Sequence, residues 1–268
     1  MDLDIADLMA FYEAPLGRIA RHLVGARLRA LWPSVAGERV MGLGYASPYL
    51  RPLLGEADRV SAMMPGPLGV VGWPTEGPVR TALVLEDSLP LSDSSVDRVL
   101  VVHGLEHVDS PQRVLREIWR VLTPGGRAVI VVPNRTGLWT RAETTPFGSG
   151  RSYSRRQIDQ LLSASLFTPI AWEAALFVPP WPRRFLMSSA HAWERAGSRL
   201  WPAVAGVVLV EAEKRLYQGL VAKEKGVRGR LLVPAAAVQR GSARGGPLSA
   251  AAGTPPAGRT GSRIPTAS

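Results

Sequence analysis

The sequence predicts an α/β protein: a doubly wound, mostly parallel sheet with helices on both faces. Three stretches carry that prediction. Val96 to Val102 is almost purely aliphatic and β-branched, with one Asp97-Arg98 pair near its start. Such a run suits a strand buried on both faces of a parallel sheet. Ser110-Pro111 then opens a helix, serine as its cap and proline at its first position. Val114, Leu115, Ile118, Val121 and Leu122 recur along it at helical spacing. Ala128 to Val132 is a second apolar strand, closed by Pro133-Asn134. Between helix and strand, Thr123-Pro124-Gly125-Gly126 is a stop, because proline cannot extend a helix and glycine accepts positive φ. Strand, crossover helix and strand form the building unit of such a sheet.

The other elements follow in chain order. Asp4 to Tyr12 reads as a short amphipathic helix with Ile5, Leu8 and Tyr12 on one side. Pro15 starts a longer one, whose apolar face runs from Leu16 to Leu31 and which Trp32-Pro33 ends. Arg39 to Leu43 is the first strand, and Pro48 suits a first helical turn leading into Tyr49-Leu50-Arg51. Asp58 to Met64 is the second strand. Pro65 to Pro78 is rich in glycine and proline, which predicts a loop or a short extra strand around Val70 to Trp73. Thr81 to Leu85 is the third strand. Past Asn134 comes a polar loop carrying Trp139 and Phe147, and Ser154-x-x-Gln157 is a capping box opening a helix to Leu162. Phe167 to Phe177 is the sixth strand, Pro179-Pro180-Trp181-Pro182 breaks the chain, and Phe185 to Leu200 is helical. Ala203 to Ala212 is the seventh strand, and Lys214 to Leu220 closes the domain.

Composition bounds the function. The chain has 268 residues, 46% of them hydrophobic, enough for one α/β domain with extras. It contains no cysteine, which excludes disulfides and thiolate metal sites, and its four histidines lack metal-ligand spacing. No signal peptide opens it and no apolar window is long enough to cross a bilayer, so the expectation is a cytoplasmic protein. The net charge is +10, but residues 221–268 hold eight Lys/Arg against the single acid Glu224, leaving residues 1–220 close to neutral. That last stretch is rich in Ala, Gly, Pro, Ser and Arg without periodicity, which predicts a disordered basic tail. It has no aromatic residue, so any nucleic-acid contact through it would be weak, non-specific and salt-sensitive. The expected organisation is N-terminal helices over 1–34, a domain over 35–220 and the tail over 221–268.

Leu89-Pro90-Leu91, Asp93, Ser95, Asp97, Glu106-His107, Leu115-Arg116-Glu117, Arg120-Val121-Leu122 and Pro124-Gly125-Gly126 form an ordered, correctly spaced set over roughly 45 residues. This set resembles the second half of a class I S-adenosylmethionine (SAM)-dependent methyltransferase domain of the type 11-like kind. The resemblance implies a Rossmann-like, seven-stranded, mostly parallel sheet ending in an antiparallel hairpin, with SAM as cofactor. It also implies site residues. Where the family has an acid followed by G-x-G-x-G, this chain has Gly42, then Gly44, Tyr45, Ala46, Ser47 and Pro48. Gly44 keeps the first glycine, Ala46 stands for the second and Pro48 for the third. Met64 stands where the family carries the acid that bonds both ribose hydroxyls. Glu86, or else Asp87, is placed where an acid bonds the adenine amino group, unless both belong to a solvated turn. His103, Glu106 and His107 lie at the end of the fourth strand, where cofactor and acceptor meet.

His107 is the candidate base, able to act near neutral pH; the plainer reading has Glu106 and His107 merely starting a loop. The N-terminal helices either pack on the sheet edge or bring Tyr12 or Arg18 over the cofactor's carboxylate. Trp73 either lines the pocket or covers the sheet. An NPPY-type signature is absent, against DNA-adenine methylation. The leading function is therefore methyl transfer from SAM to a small-molecule acceptor. The alternative is a non-catalytic methyltransferase-fold protein acting as a binding partner or scaffold, because Gly42 and Met64 replace two polar anchors. Nothing in the sequence specifies the oligomeric state.

Overall fold

The computed structural model describes residues 4–181 and 189–215. The predicted tail, the end of the segment from Lys214 to Leu220 and the first part of the helix expected from Phe185 lie outside the described residues. Seven strands form one sheet in the order β3-β2-β1-β4-β5-β7-β6. They are β1 (Arg39–Gly44), β2 (Arg59–Pro65), β3 (Thr81–Val84), β4 (Val96–Val102), β5 (Leu122–Pro133), β6 (Phe167–Ala175) and β7 (Val207–Lys214). The pairs from β3 through β5 are parallel, and β7 runs antiparallel between β5 and β6. This is the expected Rossmann-like sheet.

Side chains alternate across it. From β4, Val99 and Val101 point to one face, where they meet Val114, Leu115 and Ile118 of α4 (Pro111–Val121) and Ile158 and Leu162 of α5 (Arg155–Ala164). Leu100 and Val102 point to the other. There they meet α1 (Ile5–Glu13), α2 (Pro15–Leu31) and the four-residue α3 (Ser47–Leu50), with Ala190 of α6 (Ala190–Leu200) in the same core. The Asp97-Arg98 pair at the start of β4 is split outward: Asp97 binds Arg39 at 2.9 Å and Arg98 binds Glu38 at 2.6 Å. Glu211 of β7, 3% exposed, takes Arg98 at 3.3 Å and the indole N–H of Trp32 at 3.1 Å, which fixes the end of α2 to the sheet.

Two local expectations change, and of the two alternatives for Pro65 to Pro78 the loop is the one formed. The Pro-Gly-Gly stop is not a separate turn, since β5 begins at Leu122 directly after α4. Val96 pairs with Leu122 and Arg98 with Arg127, so the residues between Leu122 and Arg127 bulge from the ladder, Gly125 among them at φ 75°. Ser110 makes no side-chain cap bond; its carbonyl accepts from the amides of Arg113 and Val114. Between Pro65 and Pro78 a single 3-10 turn, Gly66–Leu68, is formed and no extra strand, while Trp73 is buried in the core on the α1 face. The Ser154–Gln157 capping box forms in full. No helix among the described residues is long and apolar enough to cross a membrane.

Candidate functional site

The site implied by the resemblance is the carboxyl edge of β1, β2 and β4, where parallel sheets of this kind open a crevice. Gly44 leaves β1 at φ 82°; a Cβ there would stand 2.2 Å from the Val102 carbonyl oxygen, so the turn requires glycine. The next amide, Tyr45 N–H, donates to that same carbonyl at 2.8 Å and ties the exit of β1 to the end of β4. At Gly42 the reason for the missing acid is steric. A Cβ would lie 2.6 Å from Leu50 Cδ1 and 2.7 Å from Ala46 Cβ, so those two side chains hold the space a carboxylate would need. Met64 is fully buried in the same core as Tyr12, Tyr45, Ala46, Tyr49 and Trp73.

A buried polar chain crosses this edge. Tyr12 of α1 places its hydroxyl 3.1 Å from that of Tyr49 and 2.9 Å from His103 Nε2. Its ring lies against those of Tyr45, Tyr49 and His103, and Phe147 closes over His103 at 4.9 Å between centroids. His103 sits at φ 51°, an uncommon conformation for a side chain of its size, which turns the chain sharply off β4. Its Nδ1 is 3.7 Å from Glu106 Oε1 and makes no hydrogen bond. Whichever way the chain of hydroxyls is directed, Nδ1 is left over, as an N–H if Nε2 accepts and as a lone pair if it donates. Ser47 Oγ, just past Ala46, is likewise buried and without a partner.

Burial dominates the charges here. It pushes the His103 imidazole down to about 3, with His107 acting in the same direction. It pushes the Glu106 carboxyl up to about 7, against the Leu105 amide that bonds the ionised form. Burial also raises Tyr45 to about 12 and holds Tyr12 and Tyr49 well above the ordinary phenol value. The phenols and His103 are therefore neutral at pH 7.

The structure thus gathers Gly42, Gly44, Tyr45, Ala46, Met64 and His103 at one edge. Glu86 and Asp87 stand apart in the turn after β3. Asp87 pairs with Arg113 at 2.8 Å, and neither acid shares a hydrogen bond, ion pair or ring contact with the Tyr12–His103 group. His107 is exposed, beside Gly150, on a cavity of about 950 Å³ lined also by Asp7, Phe11, Leu16, Glu143 and Pro146. Arg18 bonds the Glu13 carbonyl at 2.7 Å and lies on the outer side of α2. Sequence reasoning passed over Tyr49, for which a tyrosine four residues after Tyr45 in a helical turn was the available signal; Glu106, expected at the end of the fourth strand facing solvent or a neighbouring helix in the plainer reading, is buried.

As packed, these residues do not fit a nucleoside cofactor. Tyr45, Ala46, Met64, His103 and Tyr12 are buried against one another, and no carboxylate stands at position 42 or 64 to take ammonium or ribose.

Comparison with known proteins gives the kinship. The methyltransferase domain family matches residues 75–130. A demethylmenaquinone methyltransferase of Clavibacter sepedonicus is 32% identical over 222 residues, 78% of this chain and 81% of that protein. An uncharacterised protein of Mycobacterium tuberculosis is 27% identical over 227 residues, 80% and 74% of the two chains. Among solved structures, a SAM-dependent methyltransferase of Thermotoga maritima, described as a possible histamine N-methyltransferase, superposes with a TM-score of 0.56 at 17% identity, over 79% of this chain and 96% of that one. The geranyl diphosphate C-methyltransferase of Streptomyces coelicolor, solved with Mg²⁺, geranyl diphosphate and S-adenosyl-L-homocysteine, gives 0.51 at 17% identity over 70% and 77%. At those identities the structures speak for the fold, and the sequence relative for the family. The chain belongs to the class I S-adenosylmethionine-dependent methyltransferase family, whose cofactor is S-adenosylmethionine.

Proposed function

We infer that the chain methylates a small-molecule acceptor, and that α1 must leave the carboxyl edge of the sheet before cofactor can bind. The observation that carries this is the pair of buried, unpartnered polar atoms, Ser47 Oγ and His103 Nδ1, at the edge where the family holds its cofactor. A buried polar group without a partner costs about 1–3 kcal/mol, so a packing that leaves two of them invites a ligand. With α1 displaced, Gly44, Tyr45 and Ala46 would line the cofactor with Met64 and His103, and Glu86 or Asp87 would stand toward the adenine.

The acceptor enters by the cavity beside His107. Among the described residues Asp7 and Glu143 line it and no Lys or Arg does, while Phe11, Leu16, Pro146 and Pro180 give it apolar walls. That lining favours a neutral or cationic, partly apolar acceptor over a phosphorylated one. His107 is the base if the acceptor must lose a proton.

A second reading has its own observation. The side chains that fill the cofactor's position are well packed, as a chain used only as a scaffold would have them. Calorimetric titration of the purified chain with SAM and S-adenosylhomocysteine separates the two. Weak but saturable binding is expected. No heat at millimolar ligand, in the native chain and in one truncated before Ala14, would leave only the scaffold.

A further inference from the structure

A basic groove lies on the outer side of α2 and adjoins the carboxyl-edge site through Pro48 and Tyr49. Arg18, Arg21, Gly25 and Arg29 follow one another along α2, and Arg51, in the 3-10 turn after α3, lines the same groove of about 640 Å³. The space beside Gly25 is open: a Cβ there would touch only Tyr49 Cδ1, at 4.0 Å. Among the described residues no carboxylate lines it.

The four guanidiniums are unequally employed. Arg29 is held by Glu56 at 2.8 Å and Arg18 by a backbone carbonyl. Arg21 and Arg51 have no hydrogen bond or ion pair among the described residues. Elsewhere among the described residues Arg27, Arg39, Arg98, Arg113, Arg120 and Arg127 each reach a carboxylate, while Arg59, Arg80, Arg116 and Arg135 do not; what sets the groove apart is that four guanidiniums line one trough. A stretch of chain close to neutral overall therefore concentrates uncompensated positive charge in one trough, where self-repulsion is relieved by an anion. Guanidinium forks match phosphate oxygens two at a time. Trp32 and Tyr49 are buried in the floor and the exposed His22 ring is already engaged by His191, 5.2 Å between centroids, which leaves the groove poor in stacking surface for a nucleic-acid base.

We propose that this groove binds a phosphate-bearing anion, with Arg21 and Arg51 as its principal contacts and Arg18 as a third. The phosphates come from a free oligophosphate or from the headgroups of an anionic lipid surface.

The test uses the full chain and two probes, sodium tripolyphosphate by calorimetry and phosphatidylglycerol vesicles by co-sedimentation, with phosphatidylcholine vesicles as blank. Arg21→Gln/Arg51→Gln is compared with Arg116→Gln/Arg135→Gln, which removes equal charge elsewhere. Groove binding predicts a loss of tenfold or more in the first double variant and less than twofold in the second, for one probe or both. Loss of tripolyphosphate binding assigns the site to a free anion; loss of vesicle binding alone assigns it to a lipid. Equal losses in the two variants, no loss in the groove variant, or no binding of either probe overturns the proposal, the first two placing attraction on net charge or the basic tail. Arg21→Lys/Arg51→Lys, which keeps the charge and removes the forks, is expected to fall between wild type and the glutamine variant.

Discussion

Replacing Tyr12 with phenylalanine removes one oxygen and keeps the ring that packs on Phe11, Tyr45, Tyr49 and His103. The oxygen joins two buried groups, Tyr49 Oη at 3.1 Å and His103 Nε2 at 2.9 Å. Each net hydrogen bond is worth about 0.5–1.5 kcal/mol, and each buried partner left unpaired costs about 1–3 kcal/mol. With two partners orphaned, the docked state of α1 should lose roughly 2–4 kcal/mol. If SAM binds only where α1 is undocked, the apparent Kd is the intrinsic Kd divided by the fraction of molecules in that state. Because 1.4 kcal/mol is a factor of ten, even a loss of about 2 kcal/mol should tighten SAM binding about 30-fold. Calorimetry on wild type and Tyr12→Phe reads that change, and urea denaturation reads the accompanying fall in midpoint. A midpoint that falls as expected with SAM affinity unchanged would refute the competition between Tyr12 and cofactor, leaving Tyr12 as a core residue only.

Restoring the family's ribose-binding acid by Met64→Asp should lower the urea midpoint and not tighten SAM binding, since the new carboxylate meets buried apolar neighbours and no partner; a tighter, equally stable variant would mean the ordinary geometry persists. The pH dependence of stability should show two opposed limbs. Glu106 binds its proton more tightly folded (about 7) than at its ordinary value of 4.5, so its contribution is complete below about 4.5 and is lost as pH rises toward 7. His103 is held at about 3 against an ordinary 6.5, so its contribution is complete above about 6.5 and is lost as pH falls toward 3. Where the two windows overlap their slopes oppose, so Glu106→Gln should flatten the limb above about pH 6.5 and His103→Asn the acid limb below about pH 4.5, in urea midpoints taken across pH; unaltered slopes would show that neither group carries the effect.

The sheet was readable because its signals are local. An apolar run at strand length, a helix with five apolar positions at three- and four-residue steps, and a second run specify a crossover unit without reference to anything distant. The edge of the sheet was less readable, because its meaning depends on pairs far apart in the chain. Tyr12 meets His103 across 91 residues and Trp32 meets Glu211 across 179, and no periodicity announces either. The Pro-Gly-Gly stop misled for a related reason: glycine and proline mark a break in the helix, but strand pairing with Val96 resumes at once, which depends on the neighbouring strand.

The departures at Gly42 and Ala46 look independent in the sequence and are one packing event in the structure. Ala46 Cβ would be 2.7 Å from a Cβ at position 42, and Leu50 supplies the other close contact at 2.6 Å through the end of a flexible side chain. Gly42→Asp alone should therefore overpack this corner, costing about 1–3 kcal/mol before any penalty for the buried charge. Ala46→Gly alone removes a methyl group and should cost about 0.5–1 kcal/mol through backbone freedom. Together the second change clears the rigid half of the clash and leaves only Leu50 to turn aside. The double variant should then be more stable than the sum of the single losses implies, by about 1 kcal/mol, within the range seen for residues in contact. Urea midpoints of the four proteins in that cycle measure the coupling directly. Strict additivity would show that the acid's cost is desolvation alone and that Ala46 does not hold its place.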